Sequence, residues 1–262
     1  FVIIMTINTL FSVTGQPHCM EMGGSGKTEW EGRVGFTYGN MIKRFCTIAW
    51  AFIGVGAMIL YPNVDDPEVV FGLASRDLLP VGLVGVMLAS MLAAVMSSCD
   101  SFMVAGSALF VENFYKPYVP PKPDRHYLTV GRVVGFVLVV AGIVVTEMFA
   151  SVVELWRFLA PLPAVWGLPI WAGILWRRCN GFGAWVGLLG STAIWLFTKY
   201  YLEWELADQV VWYLSGGSLL IIITSLLTPE QPRALLDKFY AVLHTPVGEE
   251  DELKAAGIEV RK

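Results

Sequence analysis

The sequence is poor in charge. Only 15% of its 262 residues are Asp, Glu, Lys or Arg, whereas a soluble domain carries about 25%. With a mean hydropathy of +0.60, this argues against an ordinary water-soluble domain and for a protein solvated by a bilayer. Excess positive charge is also missing. The net charge is −4, so a nucleic-acid partner has no electrostatic basis. Histidine is scarce and scattered, at His18, His126 and His244. The four cysteines, Cys19, Cys46, Cys99 and Cys179, form no C-x-x-C pair, so neither a zinc nor a redox motif is suggested. They read as small apolar filler. An initiator Met and a signal-peptide n-region are absent as well: the chain opens at Phe1, already inside an apolar run. The expectation is a C-terminal fragment of a longer protein.

Long apolar runs, by contrast, are plentiful. A spanning helix needs about 20 mainly apolar residues. Seven segments meet or approach this: 1–13, which looks cut short, then 45–61, 80–115, 128–149, 158–176, 182–198 and 210–227. They are too long and too uniformly apolar for barrel strands, whose faces alternate. Lipid offers the backbone no hydrogen-bond partners, so the segments must be helices. The predicted class is an all-α, multi-pass membrane protein.

Basic residues are distributed unevenly between the loops. Regions 14–44, 112–132, 177–178 and the tail from Pro229 together hold 15 of the 18 Lys and Arg. The intervening regions hold only Arg76, Arg157 and Lys199, alongside acids such as Asp65, Asp66 and Glu68. This asymmetry predicts that the first set faces the cytoplasm, with the C-terminus, in the cell membrane. Within the tail, 235–240 could form a short amphipathic helix on the membrane surface. A plain soluble tail is an equal alternative.

The third segment carries most of the polar groups. It reads Leu92-Ala93-Ala94-Val95-Met96-Ser97-Ser98-Cys99-Asp100-Ser101. Polar side chains are expensive at this depth, and an intramembrane acid such as Asp100 is a functional candidate by default. Ser97 lies about 25 Å from Pro80 along a helix. Ala94, Ser97, Ser98 and Ser101 share one helix face. Two readings stand at this point. The serines either bond back to the preceding turn and allow close helix packing, or offer a set of hard oxygens to a small cation.

The run Gly82-Leu83-Val84-Gly85 followed by Ala93-Ala94-Val95-Met96-Ser97-Ser98-Cys99-Asp100-Ser101 resembles the eighth core helix of sodium:solute symporters. Gly173-Ile174-Leu175-Trp176-Arg177-Arg178-Cys179-Asn180, then Gly183-Ala184 and Gly187, is similar to the junction after that family's tenth core helix. Gly15-Gln16-Pro17-His18 is a weaker match at the end of the sixth. The order and spacing of all three fit.

The resemblance implies a LeuT-like fold of five-plus-five inverted repeats with a midplane substrate site. Residues 1–178 would form the second repeat, with core helices six to ten and the sixth truncated. Residues 179–228 would form two accessory helices, and 229–262 a cytoplasmic tail. It further implies sodium-coupled symport of a small organic solute (an amino acid, sugar or carboxylate), with sodium as coupling ion and no cofactor. Ala94 would supply a carbonyl, and Ser97 and Ser98 hydroxyls, to a sodium site completed by the first core helix. Asp100 and Ser101 would line the inner ion path, or Asp100 would pair with a neighbouring helix. Asn8, Phe11 and Lys43 fall at substrate-contacting positions. Each also has a plainer reading: interhelical hydrogen bonding for Asn8, apolar packing for Phe11, a membrane anchor for Lys43. Phe11 stands where sugar-transporting members often carry Tyr. Pro161 and Pro163 interrupt the tenth core helix and would free carbonyls. Rival functions are a transporter-like sensor domain without net transport and a membrane-embedded enzyme. The enzyme is disfavoured because Asp100 is the sole ionisable residue placed inside a span and all histidines fall outside.

Overall fold

The computed structural model describes residues 1–64 and 66–246, so Asp65 and the last part of the tail lie outside the described residues. The described residues are helical, without strands. The elements are α1 (Val2–Thr14), α2 (Pro17–Gly24), α3 (Glu29–Leu60), α4 (Val70–Leu78), α5 (Val81–Phe110), α6 (Asp124–Thr146), α7 (Val152–Leu159), α8 (Pro161–Leu175), α9 (Gly181–Tyr200), α10 (Leu206–Leu227) and α11 (Arg233–His244). Among the described residues, six stretches are long and apolar enough to cross a membrane: α3, α5 with its extension to Tyr118, α6, α7 with α8, α9 and α10. This is the all-α membrane architecture that the apolar runs predicted. Shorter α1 is equally apolar along its 13 residues.

Proline sets several helix starts. Pro80 and Pro123 sit in extended backbone immediately before α5 and α6, and Pro17 opens α2 from inside its first turn. A proline lacks the N–H that a first turn leaves unused, and its fixed φ suits a helix entry. Pro161 has the same effect at α8. Ala160 keeps helical dihedrals, but the hydrogen-bond ladder is interrupted at Pro161, so the stretch Val152–Leu175 divides into α7 and α8, and the span expected over 158–176 falls mostly on α8. Asn180 caps α9 by accepting a hydrogen bond from the Gly183 N–H at 2.8 Å.

Some boundaries differ from expectation. Helix α3 begins at Glu29 rather than near Phe45, so Lys43 and Arg44 lie in mid-helix and not at its entrance. A 32-residue helix is about 48 Å long, against a hydrocarbon core of about 30 Å. Hydropathy marks the bilayer, while helical hydrogen bonding continues through the polar turns beyond it. Likewise α6 is helical from Asp124, four residues before the expected start at 128, and Arg132 lies inside it on either reading. Asp100 is therefore not the sole ionisable residue within the long helices. The tail segment is helical, as α11.

The described residues form two compact units, one of Phe1–Trp30 with 153–246, the other within Glu31–Val152. In the first, α8, α9 and α10 pack around Val165, Leu168, Trp195, Tyr213 and Ile221, and α1 lies against α8 and α10. The crossing of α1 and α8 is close. A methyl on Gly15 would collide with the Pro163 carbonyl, and one on Gly167 with the Phe11 carbonyl. In the second unit α5 runs beside α6. Its long helices are almost wholly exposed along their apolar stretches. Water tolerates such a surface poorly; hydrocarbon is its natural solvent.

Candidate functional site

Helix α5 is apolar from Val81 to Met96, with Ser90 alone breaking the run, and turns polar at Ser97. There the Ala94 carbonyl accepts from Ser97 Oγ at 3.1 Å and from Ser98 Oγ at 3.1 Å. One turn further, Ser101 Oγ donates to the Ser97 carbonyl at 3.2 Å. The expected shared face is thus present, and the Ala94 carbonyl holds both hydroxyls at hydrogen-bonding distance. Ser97 and Ser98 are exposed and Ser101 is half-buried. Each hydroxyl has a donor bond inside the helix and keeps lone pairs free to turn outward. A small cation takes such oxygens readily, whereas an apolar neighbour would leave them undersatisfied. Three oxygens from one helix make only part of a shell. The back-bonds themselves are the ordinary behaviour of serine in a membrane helix, so the geometry accommodates both earlier readings.

Asp100 points elsewhere. At 100° per residue it lies about 110° around α5 from the centre of the hydroxyl face. It is exposed and has no hydrogen-bond or ion-pair partner among the described residues. Lys43, in mid-α3, is also exposed.

Asn8 and Phe11 belong to the other unit. Asn8 is 3% exposed. Its amide donates to the Ala160 carbonyl at 3.5 Å and its oxygen accepts from the Tyr213 hydroxyl. The bonds tie α1 to the α7–α8 break and to α10. The break that Pro161 creates is therefore where Asn8 attaches. Phe11 is half-buried, packs on the core cluster and borders a cavity of about 400 Å³ with Leu168, Trp171, Ala172, Ser218 and Ile221. Trp171 uses its indole N–H on the Leu10 carbonyl. The cavity wall is almost entirely apolar and Asn8 does not line it, so in this arrangement the cavity suits an apolar occupant better than a polar solute.

The Trp176–Asn180 junction has a role that sequence reasoning missed. Beyond capping α9, Asn180 Nδ2 donates to the Thr228 hydroxyl at 2.6 Å and the Pro229 carbonyl at 3.0 Å. Arg178 donates to the Thr228 carbonyl at 3.1 Å and pairs with Glu230 at 3.4 Å. Arg177 pairs with Asp237 of α11, and Tyr240 of α11 donates to the Gly173 carbonyl at the end of α8 at 2.5 Å. The junction thus clamps the ends of α8 and α10 and the start of α9 and α11. Asn three residues before Gly183, ahead of an apolar run, is an N-cap signal that could have revealed half of this. Burial pushes the Cys179 thiol up, with the neighbouring Ser225 hydroxyl acting the other way, so the thiol stays protonated at neutral pH.

Comparisons with known proteins agree with the motifs. The Sodium:solute symporter family matches residues 4–190. The chain is 28% identical over 156 residues to a sodium/glucose cotransporter of Vibrio parahaemolyticus, covering 57% of this chain and 29% of that protein. It is 37% identical over 149 residues to a sodium/mannose cotransporter of Bos taurus, covering 53% and 24%. It is 26% identical over 181 residues to a sodium/proline symporter of Haemophilus influenzae, covering 66% and 36%. The chain therefore spans roughly a quarter to a third of the length of these relatives. No solved structure matches it. These are cotransporters and not enzymes. With a family match across most of the chain, the expected motifs in order and an all-helical membrane architecture, the chain belongs to the sodium:solute symporter family.

Proposed function

We propose that the protein carrying this chain couples entry of a small polar organic solute to sodium, with α5 supplying part of the ion site. The observation that carries this reading is the oxygen cluster of Ala94, Ser97 and Ser98, set where the apolar run of α5 turns polar. The family assignment supports it, as do relatives named for sodium together with glucose, mannose or proline. In this reading the remaining oxygens come from another helix, so the ion holds two elements together and biases the conformational equilibrium of the transporter. Asp100 and Ser101 line the path by which the ion leaves. Asn8 and Phe11 on α1 and Lys43 on α3 are the candidate solute contacts, with no cofactor required. The tail and the loop at Lys122 face the cytoplasm.

Uptake into proteoliposomes holding the full-length protein tests the reading. A panel of sugars, polyols, proline and small carboxylates is offered under an inward sodium gradient and, separately, a potassium gradient. At least one solute should accumulate with sodium only. Accumulation of none, with the protein shown to be folded and inserted, would favour a sensor domain.

A further inference from the structure

Beside the oxygen cluster, the second unit contains a groove of about 580 Å³ between the end of α5 and the start of α6. Its floor is apolar, with Met103, Val104, Ala108 and Leu128. Its mouth is charged. Lys116 is already engaged there: it pairs with Glu112 one turn earlier, and its ammonium lies 5.0 Å over the Tyr127 ring. Arg132, which also lines the groove, has no hydrogen-bond or ion-pair partner among the described residues. Asp124, at the first turn of α6, lines it from the other end and forms no ion pair within bonding distance.

Position along α6 gives these charges an order. Arg132 follows Asp124 by about 12 Å of helix and precedes an uncharged stretch to Thr146 of about 20 Å. That stretch is most of a bilayer core. A bilayer core laid along that stretch has the Arg132 stem near the boundary of headgroup and acyl chain, from where a guanidinium can snorkel toward the Asp124 end. Read from water inward, the groove presents carboxylate, then guanidinium, then an apolar trough. A phospholipid with a primary-amine headgroup presents ammonium, then phosphate, then acyl chain.

We propose that this groove binds a zwitterionic aminophospholipid, such as phosphatidylethanolamine, with its phosphate on Arg132, its ammonium on Asp124 and an acyl chain along Met103, Val104 and Gly135. Guanidinium matches phosphate with two parallel hydrogen bonds. A primary ammonium donates hydrogen bonds to a carboxylate; a choline headgroup cannot. The aromatic ring that lines the groove, Tyr127, already has the Lys116 ammonium over one face. An anionic headgroup without an amine satisfies Arg132 but offers Asp124 no cation. The proposal requires only that the chain spans a bilayer and is independent of the transport reading.

The test is mass spectrometry of lipid retained by the full-length protein after reconstitution in equal parts of phosphatidylethanolamine, phosphatidylcholine and phosphatidylglycerol. The wild type should enrich phosphatidylethanolamine over the other two by roughly tenfold, the scale of one charge-assisted hydrogen bond. Arg132→Gln should lose tight retention of all three. Asp124→Asn, a change at an exposed side chain that leaves folding intact, should keep phospholipid but abolish the preference for the amine. Equal retention of the three lipids by the wild type, a preference for phosphatidylglycerol, or an unchanged amine preference in Asp124→Asn overturns the proposal.

Discussion

Tyr213 of α10 donates its hydroxyl to the side-chain oxygen of Asn8 on α1, and both side chains are buried. The bond links two elements 205 residues apart in sequence, inside an environment where an unmade hydrogen bond is expensive. It also decides how the Asn8 position has to be tested, because a substitution there removes a structural bond along with any contact to solute.

Tyr213→Phe separates the two roles. It keeps the ring packing and strands Asn8 Oδ1. We expect a loss of about 1–3 kcal/mol in stability, seen as a lower thermal midpoint of the purified full-length protein. Asn8→Ala should cost less when Tyr213→Phe is already present than in wild type, since the pair is coupled. If Asn8 also contacts solute, Asn8→Ala weakens solute affinity well beyond Tyr213→Phe at fixed sodium. Equal affinities in the two variants would assign Asn8 to the interhelical bond alone.

The Gly15–Gly167 crossing should be intolerant of any side chain. Gly15→Ala or Gly167→Ala drives a methyl into backbone of the facing helix, which cannot move aside as a side chain can. Overpacking of this kind costs about 1–3 kcal/mol, occasionally more. Gly23→Ala, with open space around it, is the control. Yield of monodisperse protein should fall for the first two and hold for the third.

Asn180→Ala removes an N-cap and two bonds to the end of α10. The cap alone contributes about 0.5–2 kcal/mol. Asn180→Asp keeps the cap acceptor but lacks the amide donor, so it should recover only part of the loss. Thermal midpoints of the three proteins check the order wild type, Asp, Ala.

For the hydroxyl face, Ser97→Ala and Ser98→Ala should each raise the sodium concentration needed for half-maximal uptake, and the double variant more so. Each change deletes one oxygen. Maximal uptake at saturating sodium should change less. An unaltered sodium dependence in the double variant would make these serines packing residues.

Topology is open to direct labelling. With the four native cysteines replaced, a single Cys at Lys122 should react with a membrane-impermeant reagent only after the membrane is opened, and one at Glu68 should react from outside. The opposite pattern would reverse the orientation read from the basic loops.

Length and composition sufficed for the membrane class, because each span is a local property: about 20 apolar residues either occur together or they do not. The Ser97–Ser98 face was legible for the same reason, since side chains three and four apart must share a helix face. The helix ends were less so. Hydropathy falls at Lys43 and Arg132, yet α3 and α6 continue through them, because backbone hydrogen bonding does not require apolar side chains.

The chain by itself determined that it crosses a bilayer as helices, and where its unusual polar residues fall along them. Only the tertiary structure decided what those residues meet. Asn8 and Tyr213, Gly15 and the Pro163 carbonyl, Asn180 and Thr228 are distant in sequence. No local periodicity encodes such pairs. They follow from how helices cross and end against one another, and that depends on the packing of the whole core.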